Sequence, residues 1–188
     1  MAPVSVPMSA PKSVPVPSPE ERRANAVYDA MLWALSRPGL VRTLPEAGAA
    51  QIVEALIDRE CRVHAADPAL VPAIRRSGAQ VTALGAADHV FLGTLADPAA
   101  LHGIARGSDL YPDEGATVVV TADLAHGPRL GLSGPGIDGA LEVVVGGLPD
   151  GFWQQRARLI RYPMGFEIFL IDGNRIMGLP RSTAVEVL

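Results

Sequence analysis

At 188 residues, 48% of them hydrophobic and with a formal net charge of -4, the chain can bury a sizeable core, and without a basic run it lacks the footprint of a nucleic-acid binder. Its only lysine, Lys12, sits in a proline-rich tail, so the rest of the chain has no lysine to serve a Schiff base or a P-loop. Arginine must do the cationic work, and its planar fork suits phosphate and carboxylate.

Residues 1–17, with prolines at 3, 7, 11, 15 and 17, lack the continuous apolar segment of a signal peptide. They read as a disordered, partly extended tail ahead of one α/β domain spanning 18–188. Ser18-Pro19-Glu20-Glu21 opens a helix with a capping-box pattern and proline at the first position. Val27, Ala30, Met31, Ala34 and Leu35 form its core stripe, while Tyr28, Leu32 and Trp33 widen the apolar surface beyond one face and suggest partner contacts. Ser36-Arg37-Pro38-Gly39 ends it. Residues 40–44 then read as a short strand, 49–57 as a helix and 61–64 as a strand. Asp67-Pro68 and Asp97-Pro98 look like capped starts of helices reaching Arg76 and Arg106, with a strand at 89–92 between them. The lone Cys61 has no internal partner, packs as a small apolar residue and fits a reducing compartment.

The rhythm then changes. A polar loop at 107–115 precedes a valine-rich buried strand at 116–122, and strands at 129–133 and 141–145 flank Gly134-Pro135-Gly136 as a hairpin. A helix over 149–160 carries Phe152, Trp153 and Leu159 among Arg156, Arg158 and Arg161. Residues 166–171 are apolar enough for a strand covered on both faces, Asp172-Gly173-Asn174 suits a hairpin turn, and 176–179 return until Pro180. The expected architecture is α/β, a mixed β-sheet flanked by helices. Gly, Pro or a charge interrupts every long apolar window, so no membrane partner is expected and the chain reads as soluble.

Beyond the last of these strands, Arg181, Ser182 and Thr183 place a guanidinium and two hydroxyls where α/β sheets often hold ligand groups; a salt bridge in a capped turn is the plainer reading. Gly131-Leu132-Ser133-Gly134-Pro135 starts like a nucleophile elbow, but Pro135 stands in place of the final glycine and no histidine follows His126. His64, His89, His102 and His126 lack partners at ligand spacing, so no metal site is expected. The glycines of 131–136 do not fit a dinucleotide fingerprint. Four loops remain, at 36–39, 107–115, 133–137 and 180–183, each ordinary turn chemistry when taken singly.

Their order is more specific. Met31-Leu32-Trp33-Ala34-Leu35-Ser36-Arg37-Pro38-Gly39, then Gly107-Ser108 with Pro112-Asp113-Glu114-Gly115-Ala116-Thr117, then Leu132-Ser133-Gly134-Pro135-Gly136-Ile137, then Tyr162-Pro163-Met164-Gly165 and Leu179-Pro180-Arg181-Ser182-Thr183 follow one another. From about residue 24 to 188 the chain resembles the H subunit of the bacterial carbon-phosphorus lyase system, which degrades phosphonates. Ser108 stands where threonine is common, and Phe166-Glu167 replaces an isoleucine-aspartate pair.

The resemblance implies a fold similar to the large domain of pyridoxal-phosphate-dependent transferases, without the cofactor. It implies partners too: a second copy in a homodimer, the G, I and J subunits in a core complex, and the L subunit. Such proteins work in forming ribose 1-phosphonate 5-triphosphate from ATP and an alkylphosphonate in the cytoplasm, with the displacement of adenine assigned to the I subunit. That makes this chain an accessory component with no catalytic residue of its own. In one reading it is a scaffold whose Tyr28, Trp33, Phe152 and Trp153 serve subunit contacts. In the other, Arg37 and Arg181 grip a phosphate, phosphonate or nucleotide and Glu114 or Glu167 orients them. Candidate ligand-binding or interface residues are therefore Arg37, Glu114, Ser133, Glu167, Arg181 and Thr183.

Overall fold

A computed structural model describes residues 16–188, so the tail assigned to 1–17 falls almost wholly outside the described residues. The chain opens with α1 (Pro19–Ser36), where Ser18 Oγ accepts from Glu21 N at 3.1 Å and Glu21 Oε2 accepts from Ser18 N at 2.6 Å. This is the reciprocal cap that the sequence predicts. There follow β1 (Val41–Thr43), α2 (Ala50–Leu56), β2 (Arg62–Ala65), α3 (Val71–Arg76), β3 (Gln80–Val81), β4 (His89–Thr94) and β5 (Thr117–Thr121). The second half comprises β6 (Arg129–Ser133), β7 (Leu141–Val144), α4 (Phe152–Leu159), β8 (Glu167–Asp172), β9 (Arg175–Leu179) and β10 (Ala184–Val187).

Seven strands form the main sheet in the order β1-β9-β8-β5-β4-β2-β3. The pairs from β8 through β3 are parallel, and β9 runs against both β8 and β1. Alternate residues of the central strands enter two different cores. Val90, Leu92, Val118, Val120, Ile168 and Leu170 join Leu130, Leu132, Phe152 and Trp153 on one face. Phe91, Val119, Phe169 and Ile171 meet α1, α2 and α3 through Met31, Ile52 and Ile74 on the other. A strand covered on both faces has no polar side, which is why these segments read as unbroken apolar runs. Fully burying each such side chain contributes about 1.5–3 kcal/mol.

Close approach fixes α1 on the sheet. A Cβ at Gly178 would lie 2.7 Å from the backbone of Ala34, so only glycine lets the helix rest directly on β9.

Several expectations need correction. The strands at 129–133 and 141–145 do pair as an antiparallel hairpin, but with β10 they form a separate three-stranded sheet packed over the main one. The helix expected from Asp97 to Arg106 is only a 3-10 helix, Pro98–Gly103; Asp97 caps it as predicted, through Ala99 N at 2.8 Å, but a single buried side chain, Leu101, cannot sustain a longer helix. Phe152 and Trp153 are not partner contacts. They are 1% and 6% exposed and meet edge to face at 4.9 Å, because α4 turns this side into the core beneath the three-stranded sheet.

Candidate functional site

The four loops singled out in the sequence meet around one clasp. Gly136 packs against Ser36 and Pro38, Gly134 packs against Ser182 and Thr183, and Arg181 reaches Pro112 at the end of the 107–115 loop. Arg181 is the pin. Its backbone N donates to Glu167 Oε2 at 2.7 Å, its Nε donates to Glu167 Oε1 at 2.6 Å, and its Nη1 donates to the carbonyls of Pro112 and Pro163. The Arg181 and Glu167 side chains are only 14% and 21% exposed, so the pair is shielded from most of the screening that weakens surface bridges.

The clasp lies at an unexpected end of the sheet. Arg181 follows β9, the strand that runs against its neighbours, and Glu167 begins β8 in register with Thr117 and His89. The loop therefore sits at the amino ends of the parallel strands, whereas ligands of open α/β sheets gather at the carboxyl ends. One antiparallel strand reverses the inference drawn from "past a strand end".

The remaining candidates divide. Arg37 is exposed and its guanidinium sits 5.0 Å from the Trp33 ring centroid, with Arg42 at 4.3 Å over the same ring; no bond joins it to Arg181. Glu114 is exposed at the end of the 3-10 turn Pro112–Glu114, and Ser133 ends β6 in register with Ala184. Thr183 is 1% exposed; its carbonyl is bonded, while its Oγ1 has no partner among the described residues.

Arg156, which the sequence offered only as one of three arginines on a helix, belongs to the same centre. It is 3% exposed, Nη1 donates to the Thr183 carbonyl at 3.0 Å and Nη2 to the Pro180 carbonyl at 2.9 Å. Burial pushes its pKa down to about 10, with the Glu167 charge acting in the opposite sense. Its Nε has no partner among the described residues. The sequence did hold a signal, since position 156 falls three and four residues after Trp153 and Phe152 and so on their buried stripe. An open cleft of about 550 Å³ lies over this centre, lined by Arg156, Ile160, Tyr162, Arg181, Thr183 and Pro135, among others.

Among the described residues, no group of three or more His, Cys, Asp or Glu side chains gathers as a metal site would require, and no helix is long and apolar enough to cross a membrane. The Cys61 thiol, half-buried and beside Asp58, is pushed up in pKa chiefly by burial, the opposite of what a reactive thiolate needs.

A family profile described as bacterial phosphonate metabolism protein (PhnH) matches residues 18–186. The chain belongs to the PhnH family. The match runs from the Ser18 cap into β10, so all four clasp loops and Arg156 lie within the family region. The chain is also 32% identical over 177 residues to a provisionally named C-P lyase subunit protein, HtxG, of Stutzerimonas stutzeri, covering 88% of this chain and 87% of that protein.

Proposed function

We propose that this PhnH-family chain is an accessory, noncatalytic subunit of a carbon-phosphorus lyase assembly in the cytoplasm. It works there as a homodimer with G, I, J and L subunits in forming ribose 1-phosphonate 5-triphosphate from ATP and an alkylphosphonate. Residues 18–188 act as one folded unit whose kinship is with the large domain of pyridoxal-phosphate-dependent transferases. The cofactor does not fit, because the only lysine is Lys12 and nothing within 18–188 could form the Schiff base.

The assembly role is supported by the outer side of α1, in a chain related along most of its length to a protein named as a subunit. Tyr28 and Leu32, four residues apart, remain 49% and 53% exposed although their neighbours Val27 and Met31 are buried. With Leu35, Leu56 and Phe169 they line a shallow apolar groove of about 180 Å³. A second apolar stripe left in water on a core helix suits a protein partner. The loops bearing Arg37, Glu114 and Ser133 would form part of the same interface edge.

Coexpression of the tagged chain with the G, I and J subunits, followed by light scattering, tests this. A stoichiometric complex is expected from the wild type. Leu32→Asp should lose that complex while changing the isolated chain's stability by no more than about 0.5 kcal/mol, as befits an exposed site. A Leu32→Asp chain that assembles normally would remove α1 from the interface, and a wild type that never copurifies would overturn the assembly role.

A further inference from the structure

The charges under the cleft do not balance. Arg156 and Arg181 bring two positive charges; Glu167 brings one negative charge, and both of its oxygens are already bonded by Arg181. Among the described residues Arg156 forms no ion pair of its own. Its hydrogen bonds go to two carbonyls, and the Glu167 charge favours its ionised form against the effect of burial. A buried guanidinium with no carboxylate of its own is a costly feature, and a counter-charge supplied from outside would offset part of that cost.

The polar atoms around it are likewise unfinished. Arg156 Nε and Thr183 Oγ1 have no partner among the described residues, and Arg181 Nη2 makes none of that residue's bonds. Ser182 and the exposed Tyr162 add two hydroxyls to the lining of the cleft above them, the rest of which is apolar, from Pro135, Ala157, Ile160, Ala184 and Val185. The Arg181 guanidinium and the Ser182 and Tyr162 hydroxyls at the rim, above the buried Arg156 charge, suit a tetrahedral group with three acceptor oxygens.

We propose that this cleft binds a small tetrahedral oxyanion, the phosphoryl or phosphonyl group of a metabolite. Arg181 Nη2 and the Ser182 hydroxyl hold its oxygens at the rim, and the Arg156 charge acts on it from the floor through a medium of low dielectric. The site differs from an Arg37–Arg181 grip, because Arg37 lies on the Trp33 ring and plays no part. It stands whether or not the chain assembles as proposed above.

Calorimetric titration of the full-length chain with inorganic phosphate and with methylphosphonate, each against sodium chloride at matched ionic strength, is the test. Saturable binding of either anion is expected, and tighter binding of methylphosphonate would identify a phosphonyl ligand. Arg156→Lys should keep the affinity within about threefold, whereas Arg156→Met should weaken it at least tenfold. Circular dichroism shows whether Arg156→Met folds; if it does not, Ser182→Ala, which removes a hydroxyl that makes no hydrogen bond among the described residues, decides, with the same tenfold loss expected. Arg37→Ala should bind as wild type. The proposal is overturned if the wild type binds neither anion beyond the chloride control, if the deciding variant binds like the wild type, or if Arg37→Ala abolishes binding.

Discussion

Replacing Arg181 by methionine and Glu167 by glutamine, singly and together, measures how far the clasp is shielded from water. Arg181→Met keeps the backbone bond from residue 181 to Glu167 Oε2, so the cycle isolates the side-chain contact between Nε and Oε1 at 2.6 Å. Losses common to both backgrounds, such as the Arg181 bonds to the Pro112 and Pro163 carbonyls, cancel. Two unit charges about 4 Å apart attract by about 4 kcal/mol at an effective dielectric of about 20, and desolvation takes back part of this. A hydrogen bond to a charged group contributes about 1.5–3 kcal/mol net. With the side chains 14% and 21% exposed, the expected coupling is about 2 kcal/mol, against about 0–1 kcal/mol for an exposed pair. Urea unfolding of the four proteins at neutral pH, extrapolated linearly to water, provides the four free energies. A coupling below about 0.5 kcal/mol would mean that the pair behaves as a surface bridge, and the claim that Arg181 pins the loops would fail.

Gly178→Ala should cost about 3 kcal/mol in the same unfolding assay, because its Cβ would fall 2.7 Å from the Ala34 backbone and α1 cannot yield without leaving β9; a loss under about 1 kcal/mol would show that the helix is free to shift. His89 should make stability depend on pH. Burial lowers its pKa, with Asp88 and Asp58 opposing, and its Nδ1 has no partner among the described residues, so the fold favours the neutral ring. The contribution is complete above the ordinary value of 6.5 and is lost as pH falls from there through the lowered folded value. His89→Gln should therefore flatten the melting temperature between pH 7 and 5 relative to wild type; an unchanged slope would assign that dependence to other groups.

Where the residues carry their own local reasons, the sequence was a good guide. The Ser18 cap, the stop at Ser36-Arg37-Pro38-Gly39 and the hairpin between β8 and β9 depend on bonds and backbone preferences within a few positions. Where an outcome depended on a distant surface, it was not legible. Ala184–Val187 is too short and too exposed to announce itself, yet it becomes β10 because β6 offers a free edge. Phe152 and Trp153 look alike whether they face a partner or a core, and only the second sheet above them decides which.

The four loops show the same division at the site. Their composition identified them one by one, and their order pointed to the family, since both are properties of the chain itself. That they converge on Arg181 follows from the sheet order, which brings Pro112, Pro163 and Glu167 to one end of the sheet from separate parts of the chain. The apolar runs determined that a sheet would be buried on both faces, because strands without a polar side can be stable in few other ways. Only the tertiary structure decided that β8 lies parallel to β5 on the side away from β9, which puts the clasp at the amino ends of the parallel strands, and that Arg156 points inward. A single sequence states which charges are present; their depth, and whether each finds a partner, depends on packing among elements far apart in the chain.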